Sequence, residues 1–141
     1  MDQDGLYQRQ VIERARAPVH AGPLDGATHQ GEGTNPMCGD RVRLGVTLDA
    51  AGRVVTVRHQ TRGCAICVAS ADMMADLAPG RSVAELGVLS RAFTDMLRTG
   101  GDAPNPELAT FAGLHRHRSR IRCATLPWAA LDDALNESKE G

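Results

Sequence analysis

A thiol and a carboxylate two positions apart, Cys38 and Asp40, lie in Asn35-Pro36-Met37-Cys38-Gly39-Asp40, where Pro36 and Gly39 hold the backbone to a turn. Two more cysteines can join them, Cys64 in Gly63-Cys64-Ala65-Ile66-Cys67 and Cys123 in Arg120-Ile121-Arg122-Cys123-Ala124-Thr125-Leu126. Three sulfurs and one carboxylate suffice for a tetrahedral zinc site, since thiolate and carboxylate are both ordinary zinc ligands. The competing reading is that Asn-Pro and Gly-Asp only punctuate a loop, in which Cys38 is a small apolar residue. The segment by itself leaves both readings open.

The elements that must bring these residues together have an α+β order. Leu6, Tyr7, Val11, Ile12 and Ala15 have the apolar spacing of an amphipathic helix, and residues 18–34, rich in Pro, Gly and small polar side chains, read as a loop. Residues 42–49 alternate apolar and polar, Ala51-Gly52 marks a turn, and residues 55–59 continue as a second strand of a hairpin. A short segment before Cys64 is expected to add a third strand. Residues 65–77 then read as a helix stopped by Pro79-Gly80, and Ser82 with Glu85 forms a capping-box pattern that opens a short helix. Leu89, Phe93, Met96 and Leu97 mark another helix, residues 99–106 a linker, residues 108–114 a helical piece, and residues 123–135 the last helix, with Pro127 expected in its first turn. In this arrangement each ligand sits where an element begins or ends. Cys64 and Cys123 are placed at helix N-termini, which are expected to lower their pKa values.

Composition narrows the functional classes. With 141 residues and 42% hydrophobic side chains, residues 1–141 are expected to form one domain that can bury a core without a metal clamp. The net charge is −1, Lys139 is the single lysine, and only Tyr7, Phe93, Phe111 and Trp128 are aromatic, so base stacking and nucleic-acid binding are not supported. The arginine-rich run His115 to Arg122 reads first as a solvated helix end or loop. The acidic, polar N-terminus has no signal-peptide pattern, and no apolar run reaches membrane-spanning length. A cytoplasmic location is therefore expected, where four cysteines point to metal binding or catalysis rather than structural disulfides.

Taken in order, the chain resembles the U-type family of iron–sulfur cluster assembly proteins, IscU and SufU. The resemblance rests on Asn35-Pro36-Met37-Cys38-Gly39-Asp40, on Gly63-Cys64-Ala65-Ile66 with Ala69-Ser70-Ala71-Asp72-Met73-Met74, and on Arg120-Ile121-Arg122-Cys123-Ala124-Thr125-Leu126-Pro127-Trp128. It extends from about Leu6 to Leu135. The long stretch between Cys64 and Cys123, and Arg122 where IscU proteins carry a ligating histidine, make the branch SufU-like. The resemblance implies a small three-stranded antiparallel sheet packed against several helices, and one zinc bound by Cys38, Asp40, Cys64 and Cys123. It implies a sulfurtransferase that accepts persulfide sulfur from a SufS-type cysteine desulfurase and passes it to a downstream cluster scaffold. In that family a desulfurase histidine takes a ligand's place on the zinc and frees one cysteine to attack, so Cys38 is the implied acceptor. The alternative within the same family is a scaffold holding a [2Fe–2S] cluster on these ligands. A zinc module that serves only partner binding is a third reading.

Departures from the family pattern are as informative. Cys67 stands where serine or another small residue is usual; it is either a buried small side chain or, one helical turn from Cys64, a partner in Cys-x-x-Cys chemistry or a substitute for Asp40. Glu13-Arg14-Ala15 and Pro18-Val19-His20 replace the family's usual N-terminal signatures. His29, His59, His115 and His117 are further ligand candidates, the last two read as surface residues, and Arg120 or Arg122 could pair with Asp40 or steady a persulfide.

Overall fold

A computed structural model describes residues 2–37 and 39–140, with side chains at residues 9–37 and 39–136. The elements are α1 (Asp2–Arg16), β1 (His29–Asn35), β2 (Asp40–Leu48), β3 (Val54–Arg62), α2 (Ala65–Leu77), α3 (Val83–Thr99), a 3₁₀ helix (Leu108–Arg116) and α4 (Arg118–Glu140). The three strands form one antiparallel sheet in the order β1-β2-β3, with Asn35 opposite Asp40 and Arg41 opposite Arg62. Val42, Leu44 and Val46 of β2 point inward and are fully buried, whereas Arg41 and Arg43, on the alternate positions, are exposed. That alternation is the strand period the sequence displays.

The third strand is not where the sequence placed it. The segment before Cys64 is the end of β3, and the missing strand is β1, inside the stretch read as a loop. Its glycines have a packing cause. A Cβ at Gly31 would lie 2.4 Å from the Ala130 carbonyl oxygen and 2.5 Å from the Ala134 amide nitrogen, so only glycine lets the α4 backbone lie directly on β1.

Two helices also differ from expectation. The pair of short helices expected after Pro79 is one helix, α3, which opens with the Ser82–Glu85 capping box, runs through Gly87 and closes at Gly100 with φ +76°. Helix α4 starts at Arg118 rather than Cys123, so Pro127 stands in its interior. There it removes the N–H that would bond the Cys123 carbonyl. Beside this break, Ser70 of α2 donates to the Ala124 carbonyl at 2.6 Å and accepts from the Trp128 indole N–H at 3.2 Å. This buried clasp fixes α2 against α4. Helix α2 itself is buried on nearly every side, with Ile66, Cys67, Ala69, Met74 and Ala75 in the core. Among the described residues no helix is long and apolar enough to cross a membrane.

Candidate metal centre

Three elements meet at one end of the sheet. Asp40 is the first residue of β2, points inward and is 4% exposed. The hairpin before it is closed by the Gly39 amide donating to the Asn35 carbonyl at 2.8 Å and by the Met37 amide donating to Asn35 Oδ1 at 3.3 Å, with Gly39 at φ +75°. Cys64 is the N-cap residue of α2, and its side chain makes no cap hydrogen bond. Cys123 lies in the second turn of α4 and is 5% exposed. One carboxylate oxygen of Asp40 and the two sulfurs all lie within 4.8 Å of one another. Cys38 lies outside the described residues.

The chemistry of this donor set fits a divalent metal. Asp40 Oδ2 is buried and has no hydrogen-bond partner among the described residues. A buried carboxylate oxygen left so is costly unless something cationic takes it up. The cradle is tight: a Cβ at Gly63 would lie 2.6 Å from Asp40 Oδ1, so this position has no room for a side chain. Burial, the neighbouring Cys64 and then Asp40 push the Cys123 thiol well above its ordinary range. The expected lowering by a helix N-terminus therefore fails for Cys123, because the helix begins five residues earlier and the thiol sits inside it. A crowd of donor atoms in which the Cys123 thiol resists ionisation is the condition a bound cation reverses. The three groups line a cleft of about 440 Å³, together with Gly39, Arg62, Gly63, Ser119 and Arg120.

Other candidates fall away from this cluster. Cys67 is fully buried in the core, and burial, then Asp40 and Cys64, push its thiol up to about 12. His59 donates from Nε2 to Asp72 Oδ1 at 3.0 Å, with the Thr61 hydroxyl 2.8 Å from its Nδ1. His29 contacts the Thr28 hydroxyl, His115 donates to the Ala112 carbonyl, and His117 is exposed. Arg120 lines the cleft and Arg122 does not, and neither forms an ion pair with Asp40 among the described residues. The sequence reading gave no role to Arg62, Gly63 or Ser119, although Gly63 stood in its second motif and Ser119 beside Arg120. It also missed the second buried aspartate. Asp72 accepts hydrogen bonds from Arg14 Nε at 2.6 Å, His20 N at 2.8 Å, Val19 N at 3.0 Å and His59 Nε2.

Comparison with known proteins bears on the fold and the family. Residues 6–138 match the profile of the NifU-like N terminal domain. The chain is 33% identical over 136 residues to the iron–sulfur cluster assembly scaffold protein IscU of Streptococcus pyogenes, covering 94% of this chain and 84% of that one. It is 30% identical over 143 residues to the zinc-dependent sulfurtransferase SufU of Bacillus subtilis, covering 98% and 95%. Among solved structures, the crystal structure of a putative iron–sulfur cluster assembly scaffold protein for the SUF system from Fervidobacterium islandicum superposes with a TM-score of 0.82 at 26% identity, over 89% of this chain and 93% of that one. A nitrogen-fixing NifU-like protein (N-terminal) from Brucella abortus shares the fold, with a TM-score of 0.86 at 24% identity over 97% and 96%. With nearly its whole length matched and its three motifs gathered at one end of a three-stranded sheet, the chain belongs to the NifU-like N-terminal domain family of IscU and SufU proteins.

Proposed function

We propose that this protein is a zinc-dependent sulfurtransferase that takes persulfide sulfur from a SufS-type cysteine desulfurase and hands it to a downstream iron–sulfur cluster scaffold in the cytoplasm. The observation that carries the reading is the convergence of Asp40, Cys64 and Cys123, with one buried oxygen of the Asp40 carboxylate left without a hydrogen-bond partner among the described residues. The likeness to the Bacillus subtilis sulfurtransferase over 98% of this chain supports it, as does Arg122 before Cys123 in place of a ligating histidine.

Cys38, Asp40, Cys64 and Cys123 are the proposed ligands, and zinc bound there keeps the thiols as thiolates at neutral pH. The chain's own part is then nucleophilic. Cys38 is the proposed acceptor. Its thiolate attacks the outer sulfur of the donor persulfide, the donor's S–S bond breaks, and the donor leaves as a thiolate while Cys38 carries the new persulfide. Cys64 and Cys123, held on α2 and α4 by the Ser70 clasp, remain in place. Asp40 is the weaker, harder ligand that keeps the set exchangeable.

The test combines elemental analysis of freshly purified, reduced protein with a desulfurase assay on wild type and Cys38→Ala. One zinc per chain is expected, with stimulation of the desulfurase abolished in the variant and its circular dichroism unchanged. Normal sulfur acceptance by Cys38→Ala removes Cys38 from the role. The likeness to the Streptococcus pyogenes scaffold protein supports the second reading, a [2Fe–2S] cargo on the same ligands. A brown protein after anaerobic purification selects that reading over the first.

A further inference from the structure

We infer that the outward face of the sheet is a docking surface for an acidic strip on the sulfur-donating desulfurase, an inference that rests on the function proposed above. Arg41, Arg43, Arg58 and Arg62 all project from this face and are exposed. Glu32 is the only carboxylate among the outward positions of the strands, and both its oxygens are taken by Arg41, at 3.0 and 3.3 Å. Among the described residues no carboxylate pairs with Arg43, Arg58 or Arg62. A chain with net charge −1 thus concentrates unneutralised positive charge on this face, around the patch at Gly45 that Leu24 and Ala27 cover.

The arrangement costs the fold something. Arg41 and Arg62 are direct cross-strand partners, and like charges placed opposite each other destabilise an antiparallel pair. Glu32 offsets this at Arg41, but Arg62 has no carboxylate partner among the described residues, and its complement lies on another molecule. The face also leads into the candidate centre: Arg62 lines the cleft and adjoins Gly63-Cys64, and Arg41 follows Asp40 directly. A partner lying along the arginines is therefore brought to the edge of the site. Guanidinium forks match carboxylates in two-point contacts, and no aromatic side chain projects from this face to stack a base, so an acidic protein fits better than a nucleic acid. The surface steers and orients the donor; it takes no part in the transfer itself.

Arg43→Gln/Arg58→Gln and Arg43→Glu/Arg58→Glu leave the cleft residues untouched and provide the test. Affinity for a SufS-type desulfurase is measured at ~50 and ~200 mM NaCl, and sulfur transfer at saturating desulfurase. The neutralised variant is expected to bind about tenfold more weakly and the reversed one about a hundredfold at low salt, both with a shallower salt dependence than wild type. Zinc content and transfer at saturation should match wild type. Wild-type affinity in both variants overturns the docking surface while leaving the proposed function intact. Arginine-dependent binding without transfer by the wild type overturns the function and keeps the surface, and no binding by the wild type overturns both. If the same substitutions instead abolish binding of mixed-sequence single-stranded DNA that the wild type holds more tightly than the desulfurase, the face serves nucleic acid and the inference is wrong.

Discussion

Asp40 and Asp72 are both buried carboxylates in the same small core, 4% and 0% exposed, and they are treated in opposite ways. Burial works to raise the Asp72 pKa, but hydrogen bonds from His59, the His20 amide, Arg14 and the Val19 amide outweigh it and hold the carboxyl well below its usual range. Arg14 continues from Asp72 to Asp76 and forms an ion pair with Glu107 at 3.3 Å, so one network ties α1, the 17–20 segment, β3, α2 and the 3₁₀ helix together. Asp40 has no such retinue: its Oδ2 is buried without a hydrogen-bond partner among the described residues, and its carboxylate lies beside two thiols. A saturated buried carboxylate is a fastening. An unsaturated one beside other donor atoms is a reserved place.

The sharpest way to break this comparison is to remove each aspartate in turn. Asp72→Ala leaves the Arg14 guanidinium, His59 and two backbone amides without their acceptor, and should lower unfolding free energy in urea by about 3–5 kcal/mol. Asp40→Ala should change the stability of chelator-treated protein by less than about 1 kcal/mol, while zinc is held more tightly and sulfur transfer falls. Equal losses of stability in the two variants would make Asp40 a fastening too. Next in size is Gly63→Ala, whose Cβ meets the Asp40 carboxylate. Overpacking of about 1–3 kcal/mol should be delivered to the ligand set, read as a tenfold or greater change in zinc affinity against a chromophoric chelator. Unchanged affinity would mean that Asp40 is not a ligand.

The network end should respond to pH where the site end is read by metal. Burial and the adjoining Asp76 carboxylate push Glu107 up to about 7 from 4.5. The folded protein therefore keeps a proton that the unfolded chain gives up, and this contribution to stability is lost as pH rises through about 7. Asp72 and Asp76, both lowered, contribute a constant amount across that window. Melting temperature should fall between pH ~5 and ~8 by an amount equivalent to about 1 kcal/mol, discounted for Glu107's partial exposure, and Glu107→Gln should flatten the profile. A wild-type profile already flat would contradict the assignment. The smallest effect belongs to Cys67→Ser, expected to retain full zinc stoichiometry and most sulfur transfer, with about 1 kcal/mol lost from placing a hydroxyl in the core. Loss of half the metal or of the persulfide label would bring Cys67 into the chemistry.

What the sequence made legible was local. The alternation of Val42, Leu44 and Val46 gave β2, the limits of α2 matched at Ala65 and Leu77, and Ser82 with Glu85 capped α3 as expected. The motifs also brought Asp40, Cys64 and Cys123 to one place before any coordinates did. The errors are places where a distant contact decides what a residue is for. Gly31 and Gly33 look like loop residues until α4 is known to lie on them, and Pro127 looks like a helix start because nothing nearby announces that Ser70 will clasp the broken turn. Similarly, Asp72 reads as an ordinary motif position, since its donors come from residues more than fifty positions away as well as from His59.

The bare strand at Gly31 has a consequence for how this family of sites can be altered. Helix α4 carries Cys123 near one end and rests on β1 further along, at Ala130 and Ala134, so the strand acts as the fulcrum of a lever. An atom added at the fulcrum must push α4 and β1 apart, and whatever part of that shift passes the Pro127 break and the Ser70 clasp reaches the Cys123 sulfur although no candidate ligand has been changed. The spacing of the candidate donor atoms is thus open to adjustment from a residue that has no side chain and stands outside their cluster.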